Sequence, residues 1–114
     1  NYKRFRENGN VYLNENYSNG KKEGVFEKYY LSGELETKCT YIKGRKEGEE
    51  FEYYRNGQIE RKLTYVDGKK NGLSISYDDE GKVEEEGKYE DGRRQGTWIE
   101  DEKEVVYLNG IEQK

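Results

Sequence analysis

The sequence predicts an all-β protein, an elongated antiparallel meander of stacked β-hairpins forming a single twisted sheet. Three observations lead there. The chain repeats itself every 24 residues: Tyr17, Tyr41, Tyr65 and Tyr89 keep that step, as do Gly20, Gly44, Gly68 and Gly92, and Gly24, Gly48, Gly72 and Gly96. Self-similarity at such a period marks a repeat array. Glycine turns also cut each unit into runs too short for a helix, and those runs hold the Tyr and aliphatic residues that suit a half-buried pleated surface. Finally, 12 Tyr and 14 Gly stand beside no Pro in 114 residues, so the turns must be built from Gly, Asn, Asp and Ser. With 30% apolar and 40% charged residues, the core should be thin.

The chain reads as one repeat domain. Residues 1–16 form an N-terminal half repeat, 17–40, 41–64 and 65–88 are full repeats, and 89–114 is a shortened capping repeat. Within a repeat, Leu31-Ser32-Gly33 fits a three-residue hairpin loop, a type I turn closed by a left-handed Gly. That loop pairs Tyr30 with Glu34 and Tyr29 with Leu35. The same register pairs Tyr53 with Ile59, Tyr77 with Val83 and, across Glu7-Asn8-Gly9, Phe5 with Val11.

Strict alternation along the strands then places Val25, Tyr29, Leu35, Cys39 and Tyr41 on one apolar face. Phe51, Tyr53, Ile59, Leu63 and Tyr65 follow, then Leu73, Ile75, Tyr77, Val83 and Tyr89. The opposite face is charged, and Phe26, Tyr30, Tyr54 and Trp98 fall on it, outside the pattern. In the last repeat the closing Tyr107 comes 18 residues after Tyr89, and Asp101 stands where a Tyr is expected. A shortened, more polar final hairpin suits the end of a stack.

Hairpins return through dibasic turns: "YSNGKKEG" (17–24), "YIKGRKEG" (41–48), "YVDGKKNG" (65–72) and "YEDGRRQG" (89–96). With the aromatic, "YY", x-x-G and aliphatic that follow, this pattern resembles MORN repeats in their bacterial variant form, of the YwqK antitoxin type. "GKKEGVFEKYYLSGELETKCTY" (20–41) and "GRKEGEEFEYYRNGQIERKLTY" (44–65) carry the resemblance best. Asp78 departs from it, and residues 92–101 match only its first half. The resemblance spans roughly residues 5–110. It implies a grooved sheet of hairpins that acts as a non-catalytic scaffold for proteins, sometimes for membrane lipids, and it extends to an antitoxin-like role beside a toxin. Choline-binding cell-wall repeats share the Gly turns and Tyr pairs, but run about 20 residues with a Trp after the first Gly. Here the period is 24 and one Trp occurs.

No catalytic, cofactor or metal site emerges. His is absent, and general acid–base work favours a group tuned near neutral pH. The single Cys39 cannot form an internal disulfide and falls on the apolar face. "DDE" at 78–80 lacks the spacing of a calcium loop. A net charge of −4 gives nucleic acid no bulk attraction. No apolar run reaches the roughly 18 residues of a membrane helix. A chain starting at Asn1 fits a cytoplasmic location or export after signal removal.

The expectation is therefore a binding scaffold. A protein partner would meet the Tyr-rich face, with Phe26, Tyr30, Tyr54, Trp98, Tyr29, Tyr53 and Tyr77 as candidate contacts, because Tyr and Trp combine rigid apolar area with a polar tip. The alternative is an anionic membrane surface met by a basic edge of Lys21, Lys22, Arg45, Lys46, Lys69, Lys70, Arg93 and Arg94, recurring roughly every 10 Å if each hairpin adds two strands. Self-association is left open as a further partner class.

Overall fold

Two kinds of turn set the path of the chain. At one long edge, Gly33 N–H donates to Tyr30 O (2.9 Å) and Tyr30 N–H to Glu34 O (2.8 Å), closing a three-residue loop. The same pair of bonds recurs around Gly9, Gly57 and Gly81. At the other edge stand two-residue turns: Asn19-Gly20, Lys43-Gly44, Asp67-Gly68, Asp91-Gly92 and Asn109-Gly110. Their first residues have φ of 49° to 53° and their glycines 78° to 86°. Two successive positive φ values define the type I′ turn, whose twist matches that of paired strands.

The computed structural model describes residues 2–114 and contains fifteen strands. In chain order these are β1 (Tyr2–Phe5), β2 (Val11–Glu15), β3 (Tyr17–Ser18), β4 (Lys21–Lys22), β5 (Gly24–Tyr29), β6 (Leu35–Ile42), β7 (Arg45–Lys46) and β8 (Gly48–Tyr53). They continue with β9 (Ile59–Val66), β10 (Lys69–Lys70), β11 (Gly72–Tyr77), β12 (Val83–Glu90), β13 (Arg93–Glu100), β14 (Lys103–Leu108) and β15 (Ile111–Gln113). The main sheet is an open antiparallel meander of thirteen strands, in which β7 and β10 pair with the ends of β6 and β9. The first tip is a separate ribbon of β3 and β4, because Asn16 and Glu23 interrupt both of its strands.

The expected hairpin register holds: Phe5 pairs with Val11, Tyr29 with Leu35, Tyr53 with Ile59 and Tyr77 with Val83. One step further in, the register slips. Lys28 faces Thr37, Glu52 faces Arg61 and Ser76 faces Glu85, so Glu36, Glu60 and Glu84 are each one residue too many. This is a β-bulge, and it reverses the alternation of the return strand relative to its partner. The single apolar face expected from strict alternation is therefore corrected. Cys39 lies opposite Phe26, not Val25, and Leu63 lies opposite Glu50, not Glu49.

The apolar residues divide between two faces. One face, here the core face, carries Phe26 and Cys39, Glu50 and Leu63, Ser74 and Gly87, then Trp98, with Tyr41, Tyr65, Tyr89 and Tyr107 toward the type I′ turns. Cys39, Leu63, Trp98, Glu15, Glu50 and Ser74 are its buried centre. The other face carries Tyr29, Tyr53 and Tyr77 toward the loops, with Phe51 stacked on Tyr53 at 6.4 Å. Gly87 occupies the slot of Cys39 and Leu63 for a packing reason. A Cβ there would stand 2.1 Å from the Trp98 ring, so the bare backbone is what admits the indole.

Successive repeats are tied at both edges. Gly44, Gly68, Gly92 and Gly110 donate their N–H groups to the carbonyls of Lys22, Lys46, Lys70 and Arg94 (2.8–2.9 Å). Glu23, Glu47 and Gln95 side chains accept from the backbone of Lys43, Asp67 and Asn109. The result measures 51 × 36 × 15 Å, one layer thick. Its radius of gyration is 16.2 Å, against about 13 Å for a compact chain of this length.

Candidate functional site

The dibasic turns split into two rows with different work. Strand alternation turns the second cation of each pair onto the core face, where Lys22, Lys46, Lys70 and Arg94 are half-buried. The first cations, Lys21, Arg45, Lys69 and Arg93, stay exposed. The expected basic edge of eight is thus corrected to an outer row of four.

Each inner cation lies over the Tyr of the following repeat. Lys22 stands 4.9 Å from the Tyr41 centroid, Lys46 5.0 Å from Tyr65, Lys70 5.0 Å from Tyr89 and Arg94 5.4 Å from Tyr107. Each also pairs across the strand with the Tyr of its own turn: Tyr17, Tyr41, Tyr65 or Tyr89. Aromatic rings and cations so alternate along the whole molecule, a cation–π ladder. Lys22 and Arg94 also stand over Phe26 (4.9 Å) and Trp98 (4.2 Å).

Carboxylates close three of the four rungs from below. Glu15 meets Lys22 at 3.5 Å and accepts from the Tyr17 hydroxyl at 2.8 Å. Glu50 binds Lys46 at 2.6 Å. Arg94 bridges Glu100 (2.6 Å) and Glu85 (3.3 Å). Burial works against the Lys46 ammonium, but the hydrogen bond and charge of Glu50 more than offset it and hold its pKa above the usual lysine value. Burial, then the Glu50 charge, pushes the Cys39 thiol up to about 11, so it stays a protonated, unreactive core group at neutral pH.

The candidate contacts fall into three groups. Trp98 is 1% exposed, and its indole N–H donates to Lys88 O at 3.0 Å. Phe26 packs edge-on against Tyr41 at 5.8 Å. Their placement on an exposed charged face is therefore corrected, the bulge having moved them to the core face. Tyr30 and Tyr54 serve the fold: their hydroxyls donate to the carbonyls of Tyr53 and Tyr77, one repeat on (2.6 Å for Tyr54). Arg6 does the same for Tyr29 O at 3.0 Å. Asp78, in the corresponding slot of the third repeat, instead accepts from Glu80 and Lys82 N–H at 2.9 Å and closes its own loop.

Tyr29, Tyr53 and Tyr77 remain. They stand half-buried on the face opposite the core, and among the described residues no second layer covers them. Tyr77 walls a hollow with Gly57, Gln58, Ile59 and Gly81, and Tyr29 walls another with Val11, Asn14 and Glu27. Strand alternation could have found the split of the cation pairs. The partnership of each inner cation with the next repeat's Tyr has no local signal, because it joins residues 19 positions apart, or 13 in the shortened last repeat.

Among the described residues no group of three or more His, Cys, Asp or Glu is placed to hold a metal ion. A family model described as MORN repeat variant matches residues 22–43, 46–67 and 70–91. Each match begins at an inner cation and ends at the first residue of a type I′ turn. The comparison with curated proteins gives no match.

Proposed function

Because the chain belongs to the MORN repeat variant family, whose repeats are in general binding modules and not catalysts, we propose that it is a non-catalytic scaffold docking a protein partner on the face of Tyr29, Tyr53 and Tyr77. One observation carries this reading: a row of half-buried aromatics, with Phe51 and Ile75 beside it, lies on a sheet only 15 Å thick, and among the described residues no second layer covers it. A layered domain buries such a row against another element. Here a partner supplies the missing layer, and rigid Tyr side chains give it contact area at low entropic cost.

A photo-crosslinking amino acid at position 53 or 77 tests the reading, with the same probe at Lys28, exposed on the opposite face, as control. One defined protein captured from positions 53 and 77, but not from 28, supports it. Equal labelling from all three positions removes it.

A second reading is favoured by the type I′ edge. Ile42 and Val66 are 46% and 49% exposed there, beside Lys21, Lys43, Arg45 and Lys69. Exposed aliphatics flanked by cations suit an anionic membrane surface. Flotation with anionic vesicles should fall with salt and disappear when Lys21, Arg45, Lys69 and Arg93 become Glu. Equal flotation with neutral vesicles counts against this edge.

A further inference from the structure

Four inner cations stand at equivalent places in four repeats, and three of them are closed by carboxylates of this chain. The acids come from four sequence offsets. Lys22 is met from seven residues before it (Glu15), Lys46 from four after it (Glu50), and Arg94 from nine before and six after it (Glu85 and Glu100). Around Lys70 the same offsets hold Leu63, Ser74, Arg61 and Ser76. None is acidic, and among the described residues no carboxylate forms an ion pair with Lys70.

We propose that Lys70, with Ser74 and Ser76 on the core face, forms a subsite that takes a carboxylate from outside the chain, the acidic side chain of a protein ligand. The chemistry follows from the sister repeats. A half-buried ammonium against a Tyr ring binds a carboxylate wherever the chain offers one. At Ser74 the chain offers a side chain shorter than Glu50 by a carboxylate arm, ending in a hydroxyl donor. Ser74 is only 7% exposed and takes the place that Glu50, four residues after the cation, holds against Lys46. Ser76 pairs with Arg61 across β9 and β11, which brings a second cation to the same face. The site lies on the opposite face from Tyr29, Tyr53 and Tyr77, so it stands or falls independently of the docking reading.

Amide NMR of the whole chain, titrated with sodium acetate against sodium chloride at matched ionic strength, tests it. Acetate should shift Lys70, Ser74 and Ser76 saturably, and Lys70→Gln should weaken that binding about tenfold, as expected for one charge-assisted hydrogen bond. Ser74→Glu should fill the subsite as Glu50 fills its own, abolishing the acetate response and raising Tm. Identical shifts with acetate and chloride, or an acetate response that survives Lys70→Gln, overturns the proposal. Should Ser74→Glu not fold, the Lys70→Gln titration decides alone.

Discussion

Glu52 shows how little room this sheet gives a single charge. It lies on the core face opposite Arg61, partly buried. Burial, and then the charges of Glu50 and Glu60, raise its pKa above the usual carboxylate value, while Arg61 pulls the other way. A carboxyl with a folded pKa above its unfolded one favours folding while protonated, and loses that contribution as pH rises through the folded value. Ionised Glu52 therefore works against the fold at neutral pH. Glu52→Gln should raise Tm at pH 7, with the gain shrinking to nothing below the ordinary glutamate range. A thermal melt series across pH reads this directly, and a gain as large at pH 3.5 as at pH 7 contradicts it. The charged composition signals many such residues, but which one is buried depends on the bulge that sets Glu60 beside it.

At the scale of the element, the type I′ turn is the recurring device, and its one irregular copy is informative. Five turns place Gly second. The turn between β13 and β14 places Asp101 and Glu102 at φ of 49° and 68°. Left-handed backbone crowds the Cβ of an ordinary residue against its carbonyl, and Asp tolerates this far better than Glu. Glu102→Gly relieves that strain, and the exposed Lys82–Glu102 ion pair it removes contributes little. The substitution should raise Tm by roughly 5 °C for a domain of this size. An unchanged or lower Tm would show that the short hairpin carries no turn strain. The turns themselves were legible, because only certain residues accept φ above zero. The bulge one step inside each loop was not, because Glu36, Glu60 and Glu84 look like ordinary outward strand residues.

Over the molecule, every main strand pairs with neighbours close in sequence, and among the described residues no element closes the sheet. Stability in such an array is a sum of repeat and interface terms, so protection should fall toward both ends. Hydrogen exchange should be slowest in β6, β8, β9, β11 and β12, which are paired on both sides and tied at both edges. It should be fastest in β1 and β15, each paired on one side only. Uniform protection from β1 to β15 would mean that the sheet opens as one unit. The same openness leaves Tyr29, Tyr53 and Tyr77 uncovered, so the docking face follows from the architecture and not from any local motif.

By itself the sequence determined the period, the hairpin loops with their first pairs, the dibasic returns and the all-β stack. All of these rest on short-range rules: a glycine that accepts positive φ, a run too short for a helix, an interval kept three times. The tertiary structure alone decided which face each aromatic occupies, because one extra residue per hairpin reverses the side-chain alternation beyond it. It also decided that Tyr30 and Tyr54 bind the next repeat's carbonyls, and that half of the dibasic residues lie over tyrosines, three of those four also closed by glutamates. Those partners lie from 4 to 23 residues away, at distances that only strand pairing brings together.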